Sequence, residues 1–461
     1  MTAPSAAPRP QFSLVDATSL IVGIIIGSGV YRASPVIASQ VGSPMALIVV
    51  WLAGGAFALL GALCYAELAT TYPVEGGDFV YLSQAFGRPL GFVYAWCQLW
   101  IIRPGSVGAM AFVFATYARQ VLPLGETIAM TYALAAVAGL CLVNIVGVRQ
   151  GKWTQNVLSG VKVAGLAAIV ILGIAWPAPT VLAPAATSAS SYWSLALILV
   201  VFTYSGWNEM PNVAAEVRDP RRNILRALLT GTLAVTAIYL LVTVAFLRSL
   251  GFAGLRTSEA VAADVVAHAL GPWGATAVSL LICISALGAI NGMTITGSRL
   301  YYAFGRQHAM FRWLGRWSPR LGTPVASLVT EAVITSATIA ALAAIYGTDR
   351  DGFERLIHFT APLFWIFLTL VAASLPVLRQ TDAARDRPFR VPLYPAPPIV
   401  LAIFCALMAI ASLRYAWENR AWEAAWALGV LGVGMVLACA DALLWKNHRD
   451  TETPSTRGED K

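Results

Sequence analysis

Apolar segments long enough to cross a bilayer follow one another along almost the whole chain, divided by short polar stretches. A helix needs roughly 20 apolar residues to span the hydrocarbon core. By that measure twelve spans are predicted, at 15–38, 45–71, 84–119, 128–147, 154–176, 193–215, 226–248, 272–304, 325–346, 355–378, 398–413 and 422–445. Of 461 residues, 58% are hydrophobic and only 12% charged, about half the charged share of an ordinary soluble chain. The fold class expected is therefore an all-α polytopic membrane protein that takes membrane lipid as its solvent. The third and eighth segments exceed one crossing and are expected to tilt or to project past the bilayer.

The formal charge of +8 does not point to nucleic acid, because the basic residues fall in short loops between apolar segments. Arg218, Arg221, Arg222 and Arg226 follow the sixth segment, Arg306, Arg312, Arg316 and Arg320 the eighth, and Arg379, Arg385, Arg387 and Arg390 the tenth, whereas 177–191 has none. The positive-inside rule then puts both termini in the cytoplasm. The N-terminal TAPSAAPRPQ lacks the basic-then-apolar pattern of a signal peptide and reads as a disordered cytoplasmic tail. Cys64, Cys97, Cys141, Cys283, Cys405 and Cys439 lie in apolar runs without metal-ligand spacing, so packing is their expected role and no metal or cofactor is expected.

Two of the segments contain interruptions. Gly23-Ile24-Ile25-Ile26-Gly27-Ser28-Gly29-Val30-Tyr31 lies in the first, and Phe202-Thr203-Tyr204-Ser205-Gly206-Trp207-Asn208-Glu209 in the sixth. A glycine cluster also lets two helices pack closely, so the first break alone reads either way. Unwound backbone in lipid is tolerable only where it faces protein or a water-filled cavity. A half-helix that starts at a break offers free N–H groups, and one that ends there offers free carbonyls, which suits a zwitterion. The breaks lie five segments apart, an odd number, so a second set of five enters the membrane in the opposite sense, as in an inverted repeat.

GIIIGSGVYRASP, CYAELATTYPVEGGDFVYLSQAFGRPLGF, FTYSGWNEMPNVAAEVRDPRRNILRAL, SALGAINGMTITGSRLYYAFGRQ and PFRVPLYP occur in that order. Together they resemble the amino acid, polyamine and organocation (APC) superfamily, and within it the L-type amino acid transporters, bacterial members included. The resemblance implies a five-plus-five inverted repeat with broken helices one and six, and alternating-access exchange or uptake of amino acids. The organisation expected is a cytoplasmic tail at 1–13, the repeat core at 14–380, a cytoplasmic loop at 381–397, two further spans at 398–445 and a cytoplasmic tail at 446–461. A bacterial inner membrane is the location expected.

By position, the resemblance implies that the substrate carboxylate meets backbone N–H groups near Gly27, Ser28 and Gly29. It places the substrate amino group on carbonyls of Ile25, Phe202 and Ser205, with Gly206 and Asn208 beside them and the Phe202 ring as a gate. Lys162 stands out without the resemblance, since ten residues at 1.5 Å each separate it from the boundary residue Lys152. That is too deep for easy snorkelling, and intramembrane charges face a partner or a cavity. In sodium-independent members of the resembled family a lysine here stands in for the ion, so Lys162 is expected to act as a tethered cation that braces span one against spans five and eight.

Glu209 and Arg32 adjoin the two breaks and invite a mutual pairing, while Arg103 beside Pro104 has no evident role. Asp16, Glu67, Glu216 and Arg218 sit near segment ends, where a gate uses ion pairs and solvated ends explain them equally. Asn291 and Gly292 are expected to pack on span one. The loop ARQVLPLGETIA contains no cysteine, from which no covalent heavy-chain partner is expected. Proton-coupled uptake through a buried acid such as Glu209 is the alternative within transport. An enzyme lacks a catalytic cluster around His268, His308, His358 or His448, and a channel lacks rings of charge.

Overall fold

The chain begins its first helix at a capping box. Ser13 accepts the Asp16 N–H, and the Asp16 carboxylate accepts from the Ser13 N–H and hydroxyl, so two of the donors that an isolated helix leaves open are met. Helix α1 (Leu14–Ile25) runs into Ile26-Gly27-Ser28, and α2 (Gly29–Ser39) resumes at an angle of 48°. The computed structural model describes residues 8–122, 129–177, 192–346, 352–419 and 421–452.

Helices α3 (Pro44–Thr71), α4 (Asp78–Phe86) and α5 (Arg88–Cys97) follow, and a π-helical turn at Gln98–Ile102 joins α5 to α6 (Arg103–Val121). Next come α7 (Ala129–Val146), α8 (Val148–Ala175) and α9 (Trp193–Thr203), then a 3-10 stretch over Trp207–Glu216. The chain continues with α10 (Pro220–Thr257), α11 (Val261–Leu270), α12 (Trp273–Gln307), α13 (Val325–Tyr346), α14 (Gly352–Thr381), α15 (Ala396–Asn419) and α16 (Ala421–Glu452). Among the described residues nine continuous helices are long and apolar enough to cross a membrane, and the bent α1–α2 pair makes a tenth. The protein is an all-α polytopic integral membrane protein. Large apolar side chains such as Leu142, Ile171 and Val436 point outward, which suits a lipid surround.

The twelve predicted segments do not all become single long helices. The fourth forms the shorter apolar helix Met130–Val146, and the sixth divides into α9 and the 3-10 stretch. The predicted 226–248 is contained in the longer α10, which kinks at Gly251 (φ 69°). Helix α16 runs past residue 445, where a tail was expected. At the other end Gln11 and Phe12 donate their N–H groups to Glu216 O, and Phe12 O accepts from Arg218 N. Part of the supposed disordered tail is thus paired with the chain just after the second break, because a buried Phe12 anchors it. Five cysteines are buried as expected, and Cys439 is exposed on α16.

Helix α1 lies against α8, α10 and α12, and α6 packs on α12. Helix α15 packs on α14 and α3, and α16 on α5, so both stand outside that centre. Glycines set how closely α1 is held. A Cβ on Gly23 would lie 2.0 Å from Gln155 Nε2, and one on Gly292 would lie 2.5 Å from Ile24 Cγ1. Gly292 therefore packs on α1 as expected, whereas the Asn291 amide bonds Gly151 O and Gln155 of α8. Gly292→Val should cost about 1–3 kcal/mol through overpacking, whereas Gly160, with nothing within 4 Å, should tolerate Ala. Melting of both variants in detergent checks this: only Gly292→Val should melt clearly below wild type.

Candidate functional site

The two breaks touch. A Cβ on Gly29 would come within 2.9 Å of Thr203 Cγ2, and one on Gly206 within 2.9 Å of Ile24 Cγ2 and 3.3 Å of the Ile25 nitrogen. Gly206 also has φ 125°, a left-handed backbone open to glycine at little cost. Both glycines are thus required by the approach of one broken helix to the other. Ser28 precedes α2 without a side-chain cap, which leaves the first N–H groups of α2 without intrahelical partners.

The carbonyl side of the first break is closely served. Lys162 is fully buried, and its ammonium donates to Gly23 O at 2.8 Å and to Ile26 O. Ser285 of α12 donates to Ile26 O and Gly27 O, both at 3.0 Å. Lys162 Nζ also lies close to Gly288, where a Cβ would sit 3.2 Å away. The side chain thus ties α8 to α1 and lies against α12. Tyr239 of α10 extends its hydroxyl to Ile25 O at 3.1 Å and Thr203 O at 3.3 Å, one carbonyl from each break. Its ring is set edge-on to Trp51 and Tyr204, with centroids 5.3 and 5.1 Å away. Sequence reading missed Tyr239, since nothing local distinguishes a tyrosine in an apolar helix.

Two of the three expected carbonyl ligands, Ile25 and Phe202, are engaged within the protein itself. Ile25 O accepts from Gly27 N at 2.8 Å as well as from Tyr239, and Phe202 O accepts from the Ser205 N–H at 3.2 Å and hydroxyl at 2.6 Å. Ser205 and Asn208 line a cavity of about 10 Å³ together with Phe57, Tyr204, Phe364 and Trp365. Space of that size holds about one water, and its lining comes from α3, the second break and α14, with none from the first break. Phe202 is half-buried and does not line that cavity.

Glu209 pairs with Arg103. Arg103 Nη1 stands 2.8 Å from Glu209 Oε2, which also accepts from Thr296 Oγ at 2.7 Å and Asn212 Nδ2 at 3.4 Å. Arg103 begins α6 directly after the π turn, a geometry that recurs at functional sites. The signal was present in the sequence: a charge beside Pro104 deep in an apolar segment requires a counter-charge. The acids near helix ends form ion pairs as well. Glu67 pairs with Arg379 and accepts the Val391 N–H at 2.7 Å, Glu216 pairs with Arg299 at 2.7 Å, and Asp16 pairs with Lys152 at 3.0 Å. Arg218 is exposed, and among the described residues only its backbone takes part.

Two discontinuous apolar helices in contact, with a buried ammonium on the carbonyl end of one, define a membrane transporter built around broken helices. The pattern of the amino acid permease family matches residues 12–436, and the chain belongs to that family, within the APC superfamily. It is 30% identical to the human b(0,+)-type amino acid transporter 1 over 422 residues, covering 89% of this chain and 84% of the relative. It is 27% identical over 397 residues to the serine/threonine exchanger SteT of Bacillus subtilis (85% and 88% covered). It is 29% identical over 422 residues to the human large neutral amino acids transporter small subunit 2 (88% and 76% covered). The protein is an amino acid transporter and not an enzyme.

One expectation is overturned. A relative named a small subunit is by that name part of a larger assembly, and this removes the ground for expecting no covalent heavy-chain partner. The cysteine-free loop ARQVLPLGETIA was a poor guide, because one loop does not decide what other surfaces hold. Residues 123–128 of that loop lie outside the described residues.

Removing one member of a buried ion pair leaves the other charge uncompensated, at a cost of about 3–5 kcal/mol. Glu209→Gln should therefore lower the melting temperature markedly, and Arg103→Gln combined with Glu209→Gln should recover part of the loss. Thermal melts of the single and double variants in detergent test it; equal losses in both would show that the pair is not coupled.

Proposed function

We propose that this permease exchanges neutral L-amino acids by alternating access, without sodium, across a bacterial inner membrane. The observation that carries the sodium independence is the Lys162 ammonium on the carbonyls of Gly23 and Ile26. A second cation at those oxygens meets a fixed positive charge. At an effective dielectric of about 20, two unit charges about 4 Å apart repel by about 4 kcal/mol, nearly three orders of magnitude in affinity.

The substrate carboxylate is taken by the N–H groups of Ser28 and Gly29, where α2 opens, and by that of Gly27 once it leaves Ile25 O. The amino group is taken by carbonyls of Ile25, Phe202 and Ser205 once the gap opens and their internal bonds are exchanged for the substrate's. Peptide dipoles bind a zwitterion without burying a full counter-ion, so release stays possible. Gly206 and Asn208 shape the second wall and Phe202 closes over it. Neutral substrates fit because the one acid next to the break, Glu209, is neutralised by Arg103. The names of two relatives, a serine/threonine exchanger and a large neutral amino acids transporter, agree with this reading.

The architecture proposed is twelve spans with both termini cytoplasmic, a five-plus-five inverted repeat over 14–380, and two spans beyond it. Packing supports it: helices that such a repeat makes equivalent lie against each other, α3 with α10, α6 with α12 and α7 with α13. Elements near a shared pseudo-two-fold axis meet in this way.

In proteoliposomes, uptake of labelled L-serine or L-leucine should need unlabelled amino acid inside and stay unchanged when choline replaces sodium. Alanine, serine, leucine and phenylalanine should compete better than arginine or lysine. Gly206→Leu should abolish uptake while the protein stays folded. Uptake that rises strongly with sodium at fixed pH and membrane potential would overturn the role given to Lys162.

A further inference from the structure

Glu331 lies on α13, six residues or about 9 Å from its first residue. It is 2% exposed, and neither carboxylate oxygen has a hydrogen-bond partner. Its carboxyl group points at Gly297 of α12, where a Cβ would lie 2.7 and 2.9 Å from the two oxygens. Arg103 Nε faces the same glycine, 2.9 Å from that Cβ position, and is also unpartnered. An acceptor pair without a donor and a donor without an acceptor thus adjoin one glycine, with no bond between them.

The charges acting on Glu331 come from three elements. Arg103 of α6 and Arg299 of α12 attract it, and Glu209 of the 3-10 stretch repels it. Tyr301 of α12 and Cys141 of α7 also face it. Among the described residues no hydrogen bond or ion pair reaches it from α14 or the π turn. Each arginine is already taken: Arg103 by Glu209, and Arg299 by Glu216 through two contacts of 2.7 and 3.3 Å. Asp78, the next acid near Arg103, has the Tyr94 hydroxyl at 3.2 Å. Among the described residues around Arg103, Glu331 is the carboxyl group left without counter-charge or donor, and a bare carboxylate in such a place is far costlier than a neutral acid.

We propose that Glu331 is a proton-binding site whose occupancy controls transport by deciding how Arg103 holds the second broken helix. With the proton on, Arg103 belongs to Glu209, one residue beyond Asn208, and the 3-10 stretch is fixed. With the proton lost to water, the Glu331 carboxylate competes for Arg103 across Gly297 and draws it off Glu209, so the break loses its anchor. The bound-proton form is the working one, and transport is lost as pH rises through the titration of Glu331. This inference rests on the amino acid transport proposed above.

Two measurements test it, and the first does not depend on transport. Infrared spectra of the purified protein in lipid, wild type minus Glu331→Gln, should show a carboxylic acid carbonyl band at about neutral pH that disappears at high pH. Absence of that band at every pH overturns the proposal whether or not transport is found. The second measures L-serine and L-leucine exchange in vesicles between about pH 6 and about pH 9. Wild type should fall by up to about tenfold per pH unit on the alkaline side. Glu331→Gln, fixed in the neutral form, should stay flat, and Glu331→Asp should keep a slope with a moved midpoint. A flat wild-type profile, or a Glu331→Gln profile that keeps the wild-type slope, overturns it. If Glu331→Gln is inactive, the Glu331→Asp profile decides: an unmoved midpoint overturns the proposal.

Discussion

A broken helix in a membrane must find partners for the backbone groups that its break releases, and this structure answers that demand mainly with the Lys162 ammonium. In lipid an unsatisfied peptide group costs several kcal/mol, so the first break exists only because something holds its carbonyls. Lys162 takes those of Gly23 and Ile26, Ser285 joins it at Ile26 and Gly27, and Tyr239 takes Ile25 together with Thr203 of the other break. The dependence is mutual. A fully buried ammonium is itself expensive, and the break supplies the oxygens that make it tolerable.

That arrangement sets the mechanics of the rest. Because α8, α10 and α12 all send a side chain to the first break, α1 cannot move without renegotiating bonds to three neighbours. The chain that follows the second break is anchored by Arg103, by Arg299 through Glu216, and by the backbone pairing of Phe12 with Glu216 and Arg218. Opening on that side has to separate buried ion pairs, whereas the small cavity beside Ser205 and Asn208 is bounded mainly by aromatic rings. Rings rotate at less cost than buried charges part. The chain thus closes one route to the gap with ion pairs and bounds the cavity beside it with side chains.

Much of this was legible in the sequence, for reasons particular to each residue. The breaks were readable because glycine pairs and polar residues inside bilayer-length apolar runs have few other uses, and Lys162 because a charge so deep needs an acceptor. Pairings between distant positions were not readable. Arg103 and Glu209 lie 106 residues apart, and sequence offered Arg32 as the nearer candidate. Tyr239 was silent because its role depends on where its hydroxyl ends, not on its type. Glu331 carried a signal that was passed over: a single acid in VTEAVITSATIAAL is the same anomaly as Lys162 with the opposite sign. The tail around Phe12 misled because its proline-rich composition describes local preference, while its order comes from one buried ring and the backbone of Val217 and its neighbours.

The account stands on amino acids binding where the two broken helices meet. Hydrogen exchange read by mass spectrometry, with and without saturating substrate in lipid nanodiscs, tests that directly. Peptides covering residues 26–31 and 204–209 should gain protection on substrate addition, because N–H groups at the first break become donors to the carboxylate and closure shields both breaks. Peptides from α15 and α16 should not change. Protection elsewhere with none at either break, in protein that demonstrably transports the same substrate, would contradict the account.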